Sequence, residues 1–257
     1  MNAENPLPSL RAATYNVHGC VGMDRQRSEA RIAEVIDSMS VDVVGLQELD
    51  VSRPRSASAD QAALIAHELG WKHVFHPAMR HGDEQYGNAI LSRFPFTLKR
   101  ALELPGLAPW YCREKRVAIW LEVETDLGPV QIINSHFGLG RMERILQAQS
   151  LIGSDWLGAL PEHAPAILLG DLNSVRTSRA YQILAAFLRD VRTLVHPPGA
   201  YRTFPTRLPS LAVDHIFVSA ALHATKLNVH RTPVARVASD HFPLIADLVS
   251  AEGVSRL

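Results

Sequence analysis

The sequence predicts an α/β protein whose sheets are covered by helices and whose two halves are built alike. Three observations predict it. Short apolar runs rich in β-branched residues alternate with helical patterns, the alternation occurs twice, and polar motifs fall where the apolar runs stop. Residues 12–17 and 41–46 read as strands. Between them Ile32, Val35, Ile36 and Met39 recur at i, i+3, i+4 and i+7, the period of an amphipathic helix. Residues 60–69 give a second helix, followed by strands at 88–92, 117–123 and 130–134. A third helix covers 142–156, with Ile145, Ile152 and Trp156 on one face. Strand 166–169 precedes a fourth helix marked by Tyr181, Leu184, Ala185 and Leu188, and strands 213–218 and 244–249 close the series.

The duplication is carried by motifs. A strand, Asn16-Val17-His18-Gly19, a helix, a strand and Gln47-Glu48 are answered by a strand, Asn134-Ser135-His136-Phe137-Gly138, a helix, a strand and Gly170-Asp171-Leu172-Asn173. Likewise Gly87-Asn88-Ala89-Ile90-Leu91-Ser92 answers Val213-Asp214-His215-Ile216-Phe217-Val218-Ser219. A period this long excludes a solenoid and points to two half-domains related by a pseudo-twofold, with coincidence of short motifs as the alternative. In two packed sheets the motifs would gather at one rim.

Composition sets the outer bounds. The 257 residues lack a linker-like stretch, so one domain over 1–257 with its core at about 12–249 is the simplest organisation. At this length roughly 70–75% of the unfolded surface can be buried, and no disulfide or structural metal is needed. Cys20 and Cys112 match no zinc spacing and read as reduced thiols. The opening MNAENPLPSL has no signal-peptide pattern, and no apolar run approaches a transmembrane segment, so a cytoplasmic protein is expected. The balance of 26 Lys plus Arg against 26 Asp plus Glu argues against a broad grip on a polyanion.

Asn16, His18, Glu48, Asn88, His136, Asp171, Asn173, Asp214, Asp240 and His241 all lie at or just past strand ends, where open sheets bind ligands. Taken singly, each is a turn former, a helix cap or a satisfied core histidine. Asp171 and Asn173 exceed that need, because Thr177 and Ser178 can cap the next helix alone. Carboxylates and amides without thiols suit a hard ion, Mg2+ or Mn2+.

Together with Leu46-Gln47-Glu48 and Ser239-Asp240-His241, the ordered set resembles the endonuclease/exonuclease/phosphatase superfamily, from about Ala12 to Val249. That superfamily includes pancreatic-type deoxyribonucleases, apurinic-site endonucleases, neutral sphingomyelinases and inositol-polyphosphate 5-phosphatases. The resemblance implies a four-layered α/β sandwich, two packed mixed sheets flanked by helices. It implies that Glu48 is the principal metal ligand, that Asn16 beside it helps to hold the ion or its waters, and that Asp240 lies near the metal. Asp171 and Asn173 would position the attacking water and the scissile phosphate, and His241 would be oriented by Asp214. His136 occupies a position that is tyrosine in apurinic-site endonucleases, and His18 one where several nucleases carry aspartate. On these roles His241 stabilises the pentavalent state and His136 helps protonate the leaving oxygen.

The expected activity is metal-dependent phosphodiester hydrolysis, with nucleic acid or a small diester as substrate. Alternatives are a phosphatase or phospholipase-type hydrolase acting on a lipid head group or inositol phosphate, and an inactive binding scaffold. No obligate protein partner is evident. All but four of the 26 basic residues are Arg. Arg207, in the loop before Asp214, is a candidate for substrate contact, as are Arg176, Arg179 and Arg202. Leu104, Leu107, Trp110 and Tyr111 form the one candidate membrane-contact loop, with a core role preferred. The remaining candidate pocket residues are His18 and Asn88.

Overall fold

The computed structural model describes residues 8–106 and 114–254. Its strands are β1 (Ser9–Asn16), β2 (Val43–Val51), β3 (Lys72–His81), β4 (Glu84–Ser92), β5 (Phe96–Glu103), β6 (Val117–Thr125), β7 (Gly128–His136), β8 (Ala166–Asp171), β9 (Arg189–Asp190), β10 (Asp214–Val218), β11 (Leu222–Val229) and β12 (Leu244–Ser250). The helices are α1 (Glu29–Met39), α2 (Gln61–Leu69), α3 (Arg141–Leu151), α4 (Arg179–Phe187), α5 (Pro233–Ala238) and α6 (Ala251–Val254). Two six-stranded mixed sheets result, ordered β11-β12-β1-β2-β4-β3 and β5-β6-β7-β8-β10-β9.

The two orders superimpose strand for strand. Each sheet holds one parallel pair, β1 with β2 and β7 with β8, and every other neighbour is antiparallel. α1 bridges the first parallel pair and α3 the second. The expected duplication is therefore present in strand order and direction. Asp214 of β10 pairs with Asp171, whereas Asn88 of β4 falls where the register with β2 slips, opposite Gln47 and Glu48.

Four layers follow from where alternate side chains go. Leu10 and Ala12 of β1 face Ile167 and Leu169 of β8 in an apolar cluster between the sheets. Ala13 and Tyr15 point the other way, onto α1 and α2, while Ala166 and Leu168 meet α3 and α4. Central strands are thus buried on both faces, which is why they appear as unbroken apolar runs. Each fully buried Val, Leu or Ile contributes about 1.5–3 kcal/mol. Gly45 lets the sheets close up, since a Cβ there would lie 2.1 Å from Leu169 and 2.8 Å from Asn134. Asn134 fills the gap, donating to the carbonyls of Leu46 (3.0 Å) and Ala89 (2.8 Å) and accepting from Gln47 (2.7 Å).

α1, α2 and α4 start at side-chain caps. Ser28, Asp60 and Ser178 accept from backbone N–H groups in the first turns of α1, α2 and α4. The α1 stripe is as expected, with Ile32, Val35, Ile36 and Met39 all buried. α3 is shorter than the predicted 142–156, ending at Leu151 before Gly153; Trp156 still reaches the core from the following turns. In α4 the buried residues are Ala180, Tyr181 and Leu184, while Ala185 is exposed. Leu104 is buried, consistent with the core role, and Leu107, Trp110, Tyr111 and Cys112 lie outside the described residues.

Candidate active site

The strand ends that the two halves share meet at one rim. Asn16 ends β1, His136 ends β7, Asp171 ends β8, and Asp214 opens β10 opposite Asp171. Glu48 lies where the β2–β4 register slips between Leu46 and Leu49, and its φ of 65° turns it out of the pleat. Residues with a side chain seldom adopt this conformation inside a strand, and here the bulge imposes it. Asn173 is also left-handed, at φ 46°.

Asn16 joins the two halves. Its Nδ2 donates to Glu48 Oε1 (2.9 Å) and to Asp171 Oδ2 (3.0 Å), and its Oδ1 accepts from the His18 N–H (3.0 Å). Asp171 Oδ1 accepts from the Asn173 N–H at 2.9 Å. Burial raises the Asp171 carboxyl above its ordinary range, with the His241 charge opposing and Asp214 reinforcing the shift.

His241 Nδ1 donates to Asp214 Oδ2 at 2.9 Å, and its Nε2 lies 3.7 Å from Asp171 Oδ2. Burial works against its charge, yet Asp214 and Asp171 outweigh burial and push the ring up to about 10. Thr203 Oγ1 also donates to Asp214 Oδ2, and the Phe204 ring packs 4.6 Å from the imidazole. Ser239 ties this corner to β1: its hydroxyl donates to the Asn16 carbonyl (2.7 Å) and accepts from the His241 N–H (3.2 Å).

His136 has a different state. Arg116 Nη1 lies 3.1 Å from its Nδ1 and Asn173 Nδ2 lies 3.1 Å from its Nε2, so a donor faces each ring nitrogen, and Asp171 Oδ2 lies 3.6 Å from Nε2. Burial, then Arg116 and His241, lower this histidine well below its ordinary value.

Asp240 is half-buried beside this core: its Oδ1 accepts from Ser239 Oγ (3.4 Å), its charge helps to raise His241, and its carbonyl accepts from the Thr206 N–H. The other expected residues are placed apart from it. Asn88 is buried and donates to the Val117 carbonyl of the opposite sheet (3.2 Å). Arg207 is exposed on its loop, as are Arg176, Arg179 and Arg202. His18 is exposed, with Nδ1 3.1 Å from the Val21 carbonyl. It lines a cavity of about 720 Å³ with Glu48, Arg53, Arg55, Tyr86 and Glu114. Arg55 grips buried Asp50 through two hydrogen bonds (2.7 and 2.8 Å), and Arg53 and Arg55 lie 5.8 and 5.5 Å from the Tyr86 ring centre.

Tyr86, Arg53 and Arg55 were not expected as site residues, although Arg53-Pro54-Arg55 directly follows the strand that carries Glu48. The runs at residues 114–120 and 203–209 resemble those of bacterial members of the superfamily, but they gave Arg116 and Thr203 no role of their own. The burial of Arg116 and its contact with His136 come from the tertiary structure alone.

Two places invite a cation. Ligand atoms of Asp171, Asp214 and His241 lie within 4.8 Å of one another. Protonated His241 already supplies the positive charge there, and an ion would have to displace it from Asp214. Glu48 is the better fit. Among the described residues it has no ion-pair partner, and only its Oε1 accepts a hydrogen bond. Nearby Glu114 is raised by burial, with Arg116 opposing and Glu48 reinforcing the shift. An all-oxygen, carboxylate-rich setting suits a hard divalent ion.

The profile of the endonuclease/exonuclease/phosphatase family matches residues 13–241. Over 254 residues the chain is 26% identical to YbhP of Escherichia coli K-12, described as uncharacterized, covering 93% of this chain and 96% of YbhP. A Beutenbergia cavernae protein described as an endonuclease/exonuclease/phosphatase is similar in structure, with TM-score 0.76, 23% identity and coverage of 95% of this chain and 72% of that one. A Bacteroides thetaiotaomicron mannosyl-6-phosphatase gives TM-score 0.73, 23% identity and coverage of 94% and 100%. The human Nocturnin catalytic domain with bound sulfate gives TM-score 0.72, 22% identity and coverage of 95% and 96%. At these identities the structural likenesses speak to the fold.

Proposed function

This chain belongs to the endonuclease/exonuclease/phosphatase family, and from that premise we propose that it is a phosphoesterase dependent on Mg2+ or Mn2+. It hydrolyses phosphodiesters, of nucleic acid or of a small diester, by in-line attack of water. The observation that carries this reading is the row Asp214, His241, Asp171: a protonated imidazole held by one buried carboxylate, with its second N–H too far from the other to be hydrogen-bonded to it.

That free Nε2–H is available to a phosphate oxygen that gains charge during the reaction. Asp214 and Thr203 fix the ring, as in other hydrolases with an oriented histidine. His136, held between Arg116 and Asn173 beside Asp171, is the group placed to help protonate the leaving oxygen. Asp171, flanked by Asn16 and the Asn173 N–H, is placed to align water and take its proton. Glu48 and Asp240 are the carboxylates that would hold the ion. Asn16 orients Glu48 through its Nδ2 and is placed to help hold the ion or its waters through its Oδ1. When bound, a divalent ion supplies Lewis-acid stabilisation of the phosphoryl oxygens.

A monoesterase or phospholipase-type hydrolase is the second reading, favoured by the mannosyl-6-phosphatase among the similar structures. Among the described residues no helix is long and apolar enough to cross a membrane. A cytoplasmic setting is supported by Cys20, a buried free thiol. Assays with Mg2+ or Mn2+ on bis-p-nitrophenyl phosphate, p-nitrophenyl phosphate, plasmid DNA and sphingomyelin separate these readings. Turnover of the diester in preference to the monoester is expected; no turnover of any of the four overturns the enzyme assignment.

A further inference from the structure

A second cavity, of about 290 Å³, opens between the first turns of α3 and α4. Arg141, Arg144 and Ile145 line it from α3, and Thr177, Ser178 and Arg179 from the start of α4. The topology sets it at the active-site rim. α3 begins five residues after His136 and α4 eight after Asp171, the last residues of the adjacent parallel strands β7 and β8. The two helices pack side by side.

The charges of this cavity are unbalanced. Among the described residues, none of the three guanidinium groups has a carboxylate within ion-pair distance. Arg144 donates to the carbonyls of Leu139 (2.7 Å) and Gly138 (3.5 Å), which steadies its position without cancelling its charge. Glu143, the nearest acid in sequence, is buried and turned inward, accepting from the Gly140 N–H and from Gln147. The hydroxyls of Thr177 and Ser178 and the positive end of α4 add further donors. Three unpaired cations in one concavity repel one another unless an oxyanion joins them.

We propose that this cavity is an anion subsite that takes a second, non-scissile phosphate group of the substrate, an inference that rests on the phosphoesterase reading. The substrate class is then a phosphoester with at least two phosphates, one at Asp171 and His241 and one between α3 and α4.

The test uses the full chain and its Arg141→Ala/Arg179→Ala variant, both changes being at exposed positions. Without metal, inorganic phosphate should raise the Tm of the wild type more than that of the variant, relative to chloride at equal ionic strength. With Mg2+, KM should rise on the order of tenfold, with kcat unchanged, for a substrate that carries a second phosphate. Bis-p-nitrophenyl phosphate should be cleaved alike by both proteins. The p-nitrophenyl ester of thymidine 5′-phosphate bearing a 3′-phosphate and a short oligonucleotide are the two arms. A KM rise in both supports recognition of any nearby phosphate; a rise for the oligonucleotide alone supports recognition of the neighbouring phosphate of a chain. Equal Tm responses and equal KM values in the two proteins overturn the inference while leaving the phosphoesterase reading intact. If nothing is turned over, that reading fails and the Tm comparison alone decides the subsite.

Discussion

His241 shows how a single ring can serve chemistry and stability together. Its folded value of about 10 lies above the about 6.5 of an unfolded histidine. The folded state therefore binds its proton more tightly, so its contribution is fully present below pH 6.5 and lost as pH rises through 10. In urea unfolding, the gap between wild type and His241→Asn should be on the order of a few kcal/mol at pH 6 and should narrow toward pH 10; a constant gap would contradict the assigned charge. The same substitution should lower the rate about 100-fold or more on any substrate that the wild type cleaves. Arg116→Met tests a neighbour through its effect on His136. Loss of the guanidinium should raise the His136 pKa, visible as a shift in its imidazole NMR titration, and should lower kcat about tenfold with the fold intact. The individual acids and His241 were legible in the sequence as candidates because each borders an apolar run: Glu48 and Asp171 come after one, Asp214 and His241 before one. Their protonation states were not, since these depend on burial and on partners such as Thr203 and Arg116 that are distant in the chain.

At the level of elements, legibility tracked position within the sheets. The eight strands readable from the sequence are the interior strands β1, β2, β4, β6, β7, β8, β10 and β12. Those it did not reveal, β3, β5, β9 and β11, are the four edges. An edge strand has one neighbour and partial exposure, so sequences such as Lys72–His81, with Pro77 and three histidines, need no apolar run. Helix starts were readable through their caps, whereas the end of α3 depends on a turn that the apolar period extends past. Gly45→Ala should expose how tightly the two sheets meet. With Leu169 and Asn134 in the way of its Cβ, the change should cost about 1–3 kcal/mol, read as a lower urea midpoint, whereas Gly70→Ala tests only a left-handed helix end.

Across the whole molecule, three apolar clusters account for the layers, so the ion is expected to serve activity and not folding. Chelation should therefore abolish activity while leaving the circular dichroism spectrum unchanged. Added Mg2+ should raise Tm only by the mass-action amount set by its Kd, and Glu48→Gln should remove that rise. Unfolding on chelation would mean that the ion is structural.

The superimposable halves also limit which charges the rim can hold. Identical halves would set equal carboxylates face to face in a nearly dry space, where one of each facing pair would have to stay protonated. In this chain β1 ends in Asn16 and β7 in His136, so the first half meets Asp171 with an amide and contributes its acid, Glu48, one strand away. Asn16 donates to both carboxylates, and this neutral bridge keeps Glu48 and Asp171 from facing each other directly. An Asn16→Asp change would put two carboxylates about 3 Å apart and forfeit that arrangement.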